Sequence, residues 1–235
     1  MRRCCGPRVC DPAGAPPSTR PSRSSLAAGE ALVVTGPNGA GKSTLALTLA
    51  GLLPPVEGAV LASPALRGPD LTEPAPIRWR PRQLATRIGT VLQQPEHQFV
   101  AARVHDEVAA GLRALRRPAA EVDAAVDALL SALRLEHLRD ANPFTLSGGE
   151  QRRLSVATVL APAPRLCVLD EPTFGQDRRT WAELVRLIAS LVDERGCAVV
   201  AVTHDADVVR VLGDRVLRLE AGSGAEGAGP TGEGA

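Results

Sequence analysis

Apolar runs of four or five residues, at 31–34, 166–169 and 198–202, punctuate the chain without alternating with polar positions. Runs of that kind suit strands buried on both faces, as in a parallel sheet. Between them the pattern turns helical. Leu45, Leu49 and Leu52 follow the first run, with Pro54 expected to end that helix, and "TWAELVRLIASLVDE" lies between the last two. Shorter pieces, "GAVLA" and "IGTVL", read as strands among proline-rich loops between residues 56 and 92. From about residue 95 to 159 the chain is rich in Ala, Leu and Arg, and Val122, Val126, Leu129 and Leu133 mark one helical apolar stripe. The order strand, loop, helix, helical insertion, strand, helix, strand predicts an α/β fold with a mostly parallel sheet core and an inserted helical subdomain.

The ends lack such a pattern. Residues 1–25, rich in Pro, Arg, Ser and Cys, are expected to form a disordered or vestigial N-terminus, and 221–235 a disordered polar tail. The folded domain is therefore expected over 26–220. No apolar run approaches the roughly 18 residues of a membrane span, and no short apolar core follows the basic start as in a secretory signal. A net charge of +1 gives no general pull towards nucleic acid or anionic lipid. Cys167 and Cys197, in strand-like runs, should behave as small buried hydrophobes, while Cys4, Cys5 and Cys10 lack the partners of a zinc site.

Composition changes the picture at one residue. All 27 basic residues are arginine except Lys42. Lys42 falls in "GPNGAGKST", formed by Gly36, Pro37, Asn38, Gly39, Ala40, Gly41, Lys42, Ser43 and Thr44. This is the phosphate-loop pattern in its required context, after a strand and opening a helix. Glycines let backbone N–H groups close around phosphate oxygens, and the helix N-terminus adds partial positive charge. Lys42 would reach the β- and γ-phosphates of a nucleotide, and Ser43 would place its hydroxyl on Mg²⁺. A compact ammonium on a slim stem is not interchangeable with guanidinium, which accounts for the lone lysine. Farther on, "LCVLDEPT" ends a strand in Asp170 and Glu171, where open α/β sheets hold ligands. Asp170 can hold Mg²⁺ through water, and Glu171 suits a general base that polarises the attacking water.

A third segment, "LSGGEQRR", opens a helix with a serine and two glycines roughly a hundred residues after the phosphate loop, a second anion cradle. With these three motifs the chain resembles the ATP-binding-cassette (ABC) ATPases from about residue 26 to 219. The resemblance implies that Ser147, Gly148 and Gly149, with Gln151 in the same segment, close on ATP held by another subunit's phosphate loop. It also implies a Q-loop in "VLQQPE", where Gln93, rather than Gln94, would contact Mg²⁺ and water. "FGQD" takes the place of a D-loop, with Asp177 crossing the dimer interface, although a small residue and leucine more often precede that aspartate. "VTHD" supplies a switch histidine, His204. The segments "VLQQPEHQFVAARVHDEVAAG" and "DEPTFGQD" are most similar to the energy-coupling-factor and cobalt-type importer ATPases.

What the resemblance implies is an ATP- and Mg²⁺-using ATPase subunit on the cytoplasmic face of the cell membrane. It would pair with a second ABC ATPase subunit, in a homo- or heterodimer, and power import of a metal ion or vitamin through a separate integral membrane component, with no nucleic acid involved. Two other readings stay open: a soluble, non-transport ABC ATPase, and a truncated, weakly active cassette that pairs with a complete one. The latter arises from one departure. The family carries an aromatic residue upstream of the phosphate loop that stacks on adenine, whereas the first aromatic here is Trp79. Arg20 or Arg23 would be the substitutes.

Overall fold

The computed structural model describes residues 8–10 and 23–220. Among the described residues are eight strands: β1 (Arg8–Cys10), β2 (Arg23–Ser25), β3 (Ala31–Thr35), β4 (Val60–Leu61), β5 (Ile88–Val91), β6 (Leu166–Asp170), β7 (Ala198–Val202) and β8 (Arg215–Arg218). Five form one sheet in the order β5-β6-β7-β3-β8, with every pair parallel. The other three form a small antiparallel sheet, β2-β1-β4. Two strands thus lie in the stretch expected to be disordered or vestigial, a correction to the reading of its pattern. Three-residue strands are too short to display alternation. The rest of 1–25, with Arg20, the side chain of Arg23 and the tail 221–235, lies outside the described residues.

Both faces of the parallel sheet are covered, which is why its strands read as unbroken apolar runs. On β3, Ala31 and Val33 face one core while Leu32 and Val34 face the other. Cys167 and Leu169 of β6 divide from Leu166 and Val168 in the same way. Helix α1 (Lys42–Leu49) packs Leu45, Ala46 and Leu49 on the second face, beneath Val60, Leu66 and Trp79. It stops at Leu49, earlier than Pro54, because Gly51 takes a left-handed φ of +75° and a Cβ there would lie 2.8 Å from Pro76. Leu52 is consequently outside the helix and exposed.

Short helices α2 (Pro64–Arg67) and α3 (Pro81–Ala85) lead to β5. Between β5 and β6 come α4 (Val104–Ala114), α5 (Ala119–Ala132) and α6 (Gly148–Leu160), whose Val108, Val122, Val126 and Leu154 join the first core. Helices α7 (Arg178–Asp193) and α8 (Ala206–Leu212) complete that face. Strand β8 has no counterpart in the sequence reading. Its "RVLR" is short, half exposed and at the sheet edge, so burial leaves no apolar run to read.

Gly89 decides how closely α6 approaches the sheet. A Cβ there would stand 2.5 Å from Val159 Cγ1 and 3.2 Å from the Val159 carbonyl oxygen. Gly89→Ala should therefore push α6 outward and cost about 1–3 kcal/mol, as overpacking does. Urea unfolding of the two proteins measures this, and equal midpoints would show that α6 does not rest on the β5 backbone.

Candidate functional site

Strands β6, β7 and β3 are neighbours, and at their C-terminal edge the chain continues into the acidic pair, His204 and the glycine loop respectively. Past Thr35 the loop turns through Gly39 and Gly41, whose φ values of +81° and +85° favour glycine, and no atom lies within 4 Å of where their Cβ atoms would be. Gly36 is required by space, since its Cβ would meet the Leu219 carbonyl oxygen at 2.5 Å. Gly41 is the N-cap of α1 and supplies no side-chain cap, so the first amides of the helix face the loop for an anion to use. Lys42 Nζ donates to the carbonyls of Gly36 at 3.0 Å and Pro37 at 2.9 Å, which holds the ammonium over the loop.

Asp170 is 7% exposed. Burial pushes its carboxyl above the usual range. The Ser43 hydroxyl nearby opposes that rise, the charge of Glu171 adds to it, and the charges of Arg152 and Lys42 oppose it. Ser43, Gln93 and Asp170 line one cavity of about 230 Å³. A hydroxyl, an amide oxygen and a carboxylate are hard donors that fit Mg²⁺, an ion that keeps waters and phosphate oxygens around it. Among the described residues no cluster of three or more His, Cys, Asp or Glu could hold a metal, so a cation would rely on this mixed set.

Glu171 follows the strand end with a left-handed φ of +50°, uncommon for a side chain of its size. Its N–H bonds the Val202 carbonyl at 2.9 Å. One carboxylate oxygen is 2.7 Å from His204 Nδ1, and the other accepts the Thr203 hydroxyl at 3.2 Å. Both oxygens are thereby oriented from the loop that follows β7. Thr203, fully buried, lies within "VTHD", but the sequence reading gave a role there only to His204.

The second cradle stands apart: Ser147, Gly148 and Gly149 are not among the residues lining the Ser43–Asp170 cavity. Ser147 caps α6 and donates its N–H at 2.8 Å and its hydroxyl at 2.7 Å to Glu150, whose carboxyl is held below its ordinary value by those bonds. Gln151 points its amide at the Pro143 carbonyl, 3.1 Å away on its own chain. Asp177 caps α7, accepting from the N–H groups of Arg179 and Thr180 and from the Thr180 hydroxyl. Gln176, where leucine is more common, gives its amide to the Gly149 carbonyl at 3.2 Å and accepts from Arg153 at 3.2 Å. The atypical "FGQD" thus fastens its loop to α6. Gln93 and Gln94 are exposed. Trp79 is 5% exposed, with Nε1 bonded to the Glu73 carbonyl, and offers no face to a base.

The profile of the family described as "ABC transporter" matches residues 20–174. A putative HMP/thiamine import ATP-binding protein, YkoD of Bacillus subtilis, is 42% identical over 195 residues, 83% of this chain and 33% of that protein. The chain therefore spans a third of that relative's length. Among solved structures, CbiO1 of Clostridium perfringens, part of the ABC transporter complex CbiONQ, superposes with a TM-score of 0.73 at 28% identity, over 94% of this chain and 86% of that one. The ATP-binding cassette MJ0796, in a dimeric post-hydrolysis state bound to ADP and Pi, gives 0.73 at 28% identity over 86% of each chain.

Because the folded Asp170 holds its proton more tightly than a free carboxyl, its ionisation above the ordinary pKa costs the nucleotide-free fold stability. Asp170→Asn should therefore melt at a higher temperature than the parent at pH 7 without nucleotide, by a margin that narrows as pH falls towards 4. Added Mg-ATP should raise the parent's melting temperature and the variant's much less. Thermal melts at several pH values test both, and a variant less stable than its parent at pH 7 contradicts the account.

Proposed function

This chain belongs to the ABC transporter family, and we propose that it binds and hydrolyses ATP to power import of a metal ion or vitamin through a separate integral membrane component. The observation that carries the proposal is the convergence of Lys42, Ser43, Asp170, Glu171 and His204 on one sheet edge. In this reading Gly36, Pro37, Asn38, Gly39, Ala40, Gly41 and Thr44 wrap the phosphates, and Lys42 turns from its carbonyls to the β- and γ-oxygens. Ser43, Gln93 and Asp170 hold Mg²⁺, which when bound neutralises charge on the phosphate oxygens. Glu171 accepts a proton from the attacking water, and Thr203 and His204 fix the direction of its two oxygens.

Ser147, Gly148 and Gly149 serve the nucleotide of a second ABC ATPase subunit, with Gln151 and Asp177 near the same interface. The exposure of Ser147, Gly148 and Asp177, with Ser147 and Gly148 away from the Ser43 cavity, supports that arrangement, as does the dimer of the MJ0796 cassette. The import reading draws on the name of YkoD and on the CbiONQ complex of CbiO1. No helix among the described residues is long and apolar enough to cross a membrane, so the chain would sit peripherally on the cytoplasmic face, against its membrane partner. A second reading, a weak nucleotide binder paired with a stronger cassette, is favoured by the lack of any aromatic residue before Trp79.

Glu171→Gln should lower steady-state ATP hydrolysis by about 10²- to 10⁴-fold, the scale of a lost general base, while ATP still drives association seen by light scattering. Turnover near the parent's would remove Glu171 from the role of base. Sharing of sites is tested by mixing Lys42→Ala with Ser147→Arg chains. Each alone should be inactive, and mixed dimers should regain one working site, about half the parent's activity if the sites act independently. Mixed dimers shown to form without any recovery would rule out a cradle acting in trans.

A further inference from the structure

The roles assigned above leave the buried charge nearest the acidic pair unused. Arg152, on the second turn of α6, is 5% exposed. Its guanidinium donates only to main-chain carbonyls among the described residues: Nη1 to Leu92 at 2.9 Å and Asp170 at 3.4 Å, and Nη2 to Gln93 at 2.6 Å. The carboxylates of Asp170, Glu171 and Glu96 steady its charge against burial.

These acceptors mark a boundary. The register of β5 and β6 runs to Val91 opposite Leu169 and ends there. Leu92 and Asp170 are the next residues on each side, so the planar fork spans the two chains one step past the last rung. Gln98 braces the same turn from within, giving its amide to the Thr90 carbonyl at 2.8 Å and accepting the Leu92 N–H at 3.1 Å. Gln98 makes the turn rigid, whereas Arg152 ties it to β6. Removing a cation and its fork from water is costly, and the cost is offset only where several well-placed acceptors fill the donors.

We propose that Arg152 is a positioning residue for hydrolysis, holding the Gln93 segment at a fixed distance from the Asp170–Glu171 end of β6. The proposal rests on the ATPase reading above. It gives α6 two tasks at once. Its first residues form the cradle read as facing the partner's nucleotide, and one turn later the same helix sets where Gln93 stands over the cation cavity. A displacement of α6 would therefore reach Gln93 through a single side chain.

The test compares Arg152→Gln and Arg152→Lys in the full chain. Lysine keeps the charge and loses the fork, so it should fall between the parent and Arg152→Gln. Amide hydrogen exchange in nucleotide-free protein should speed up about tenfold or more over residues 92–98 in Arg152→Gln. ATP affinity should stay within about threefold, because the phosphate loop is untouched, while kcat falls about 10- to 100-fold, as for a misplaced catalytic group. Unchanged exchange over 92–98 would overturn the proposal, and so would parental kcat in a folded Arg152→Gln. Affinity, kcat and melting temperature all collapsing together would also overturn it, marking Arg152 as a general core residue. A parent chain that hydrolyses no ATP would refute the ATPase reading instead, and the exchange measurement would still decide whether Arg152 positions Gln93.

Discussion

Parallel pairing of β6 between β5 and β7, and of β7 beside β3, is the constraint on which the site depends. Parallel strands share a direction, so every strand of the sheet releases its chain at the same edge. The register then makes a row: Asp170 stands opposite Val202, and Val202 opposite Val34. One residue farther on lie Glu171, Thr203 and Thr35, and the glycine loop begins next. A slip of one residue in any of these pairings would turn buried side chains to the wrong face. The two apolar cores that forbid such a slip therefore also hold the acidic pair beside the phosphate loop.

Charge is managed at that edge by a few groups. Two adjacent carboxylates, Asp170 and Glu171, are nearly excluded from water, and burial, with the charge of Glu171 adding to it, raises the proton affinity of Asp170. Lys42 and Arg152 supply opposing charge from α1 and α6. Glu171 carries the added cost of a left-handed backbone, of order 1–3 kcal/mol for such strain. Its grip by Thr203 and His204 shows where that cost is met. A buried acid held in a strained turn and oriented at both oxygens is suited to proton transfer and serves no evident packing purpose.

Helix α6 links the parts. Gly89 brings its side down onto β5, Arg152 ties it to the ends of β5 and β6, and Arg153 with Gln176 ties it to the loop that opens α7. Its N-terminus, capped by Ser147 and Glu150, remains at the surface. The helix thus joins the exposed Ser147 turn to two segments that line the Ser43–Asp170 cavity and to the loop that opens α7. Motion at one end has short, polar routes to the other.

The local elements were legible because they obey local rules. Unbroken apolar runs marked β3, β6 and β7, and the left-handed glycines of the phosphate loop announced themselves as "GPNGAGKST". Lys42 stood out as the only lysine, and Ser147 as a cap before two glycines. Where elements were short or exposed, pattern failed: β1, β2 and β8 hold too few apolar positions to betray a strand, and Gly51 ended α1 before Pro54 because of its approach to Pro76. The partners of the site residues were hidden for another reason. Arg152, Thr203, Gln98 and Gln176 are ordinary polar residues whose meaning comes from what they touch, and three of those contacts join segments 27 to 60 residues apart. Spacing along the chain records which residues can carry phosphate chemistry, since that depends on backbone conformation and side-chain type. Which side chains hold them in place depends on distances across the sheet, and only tertiary packing decides those.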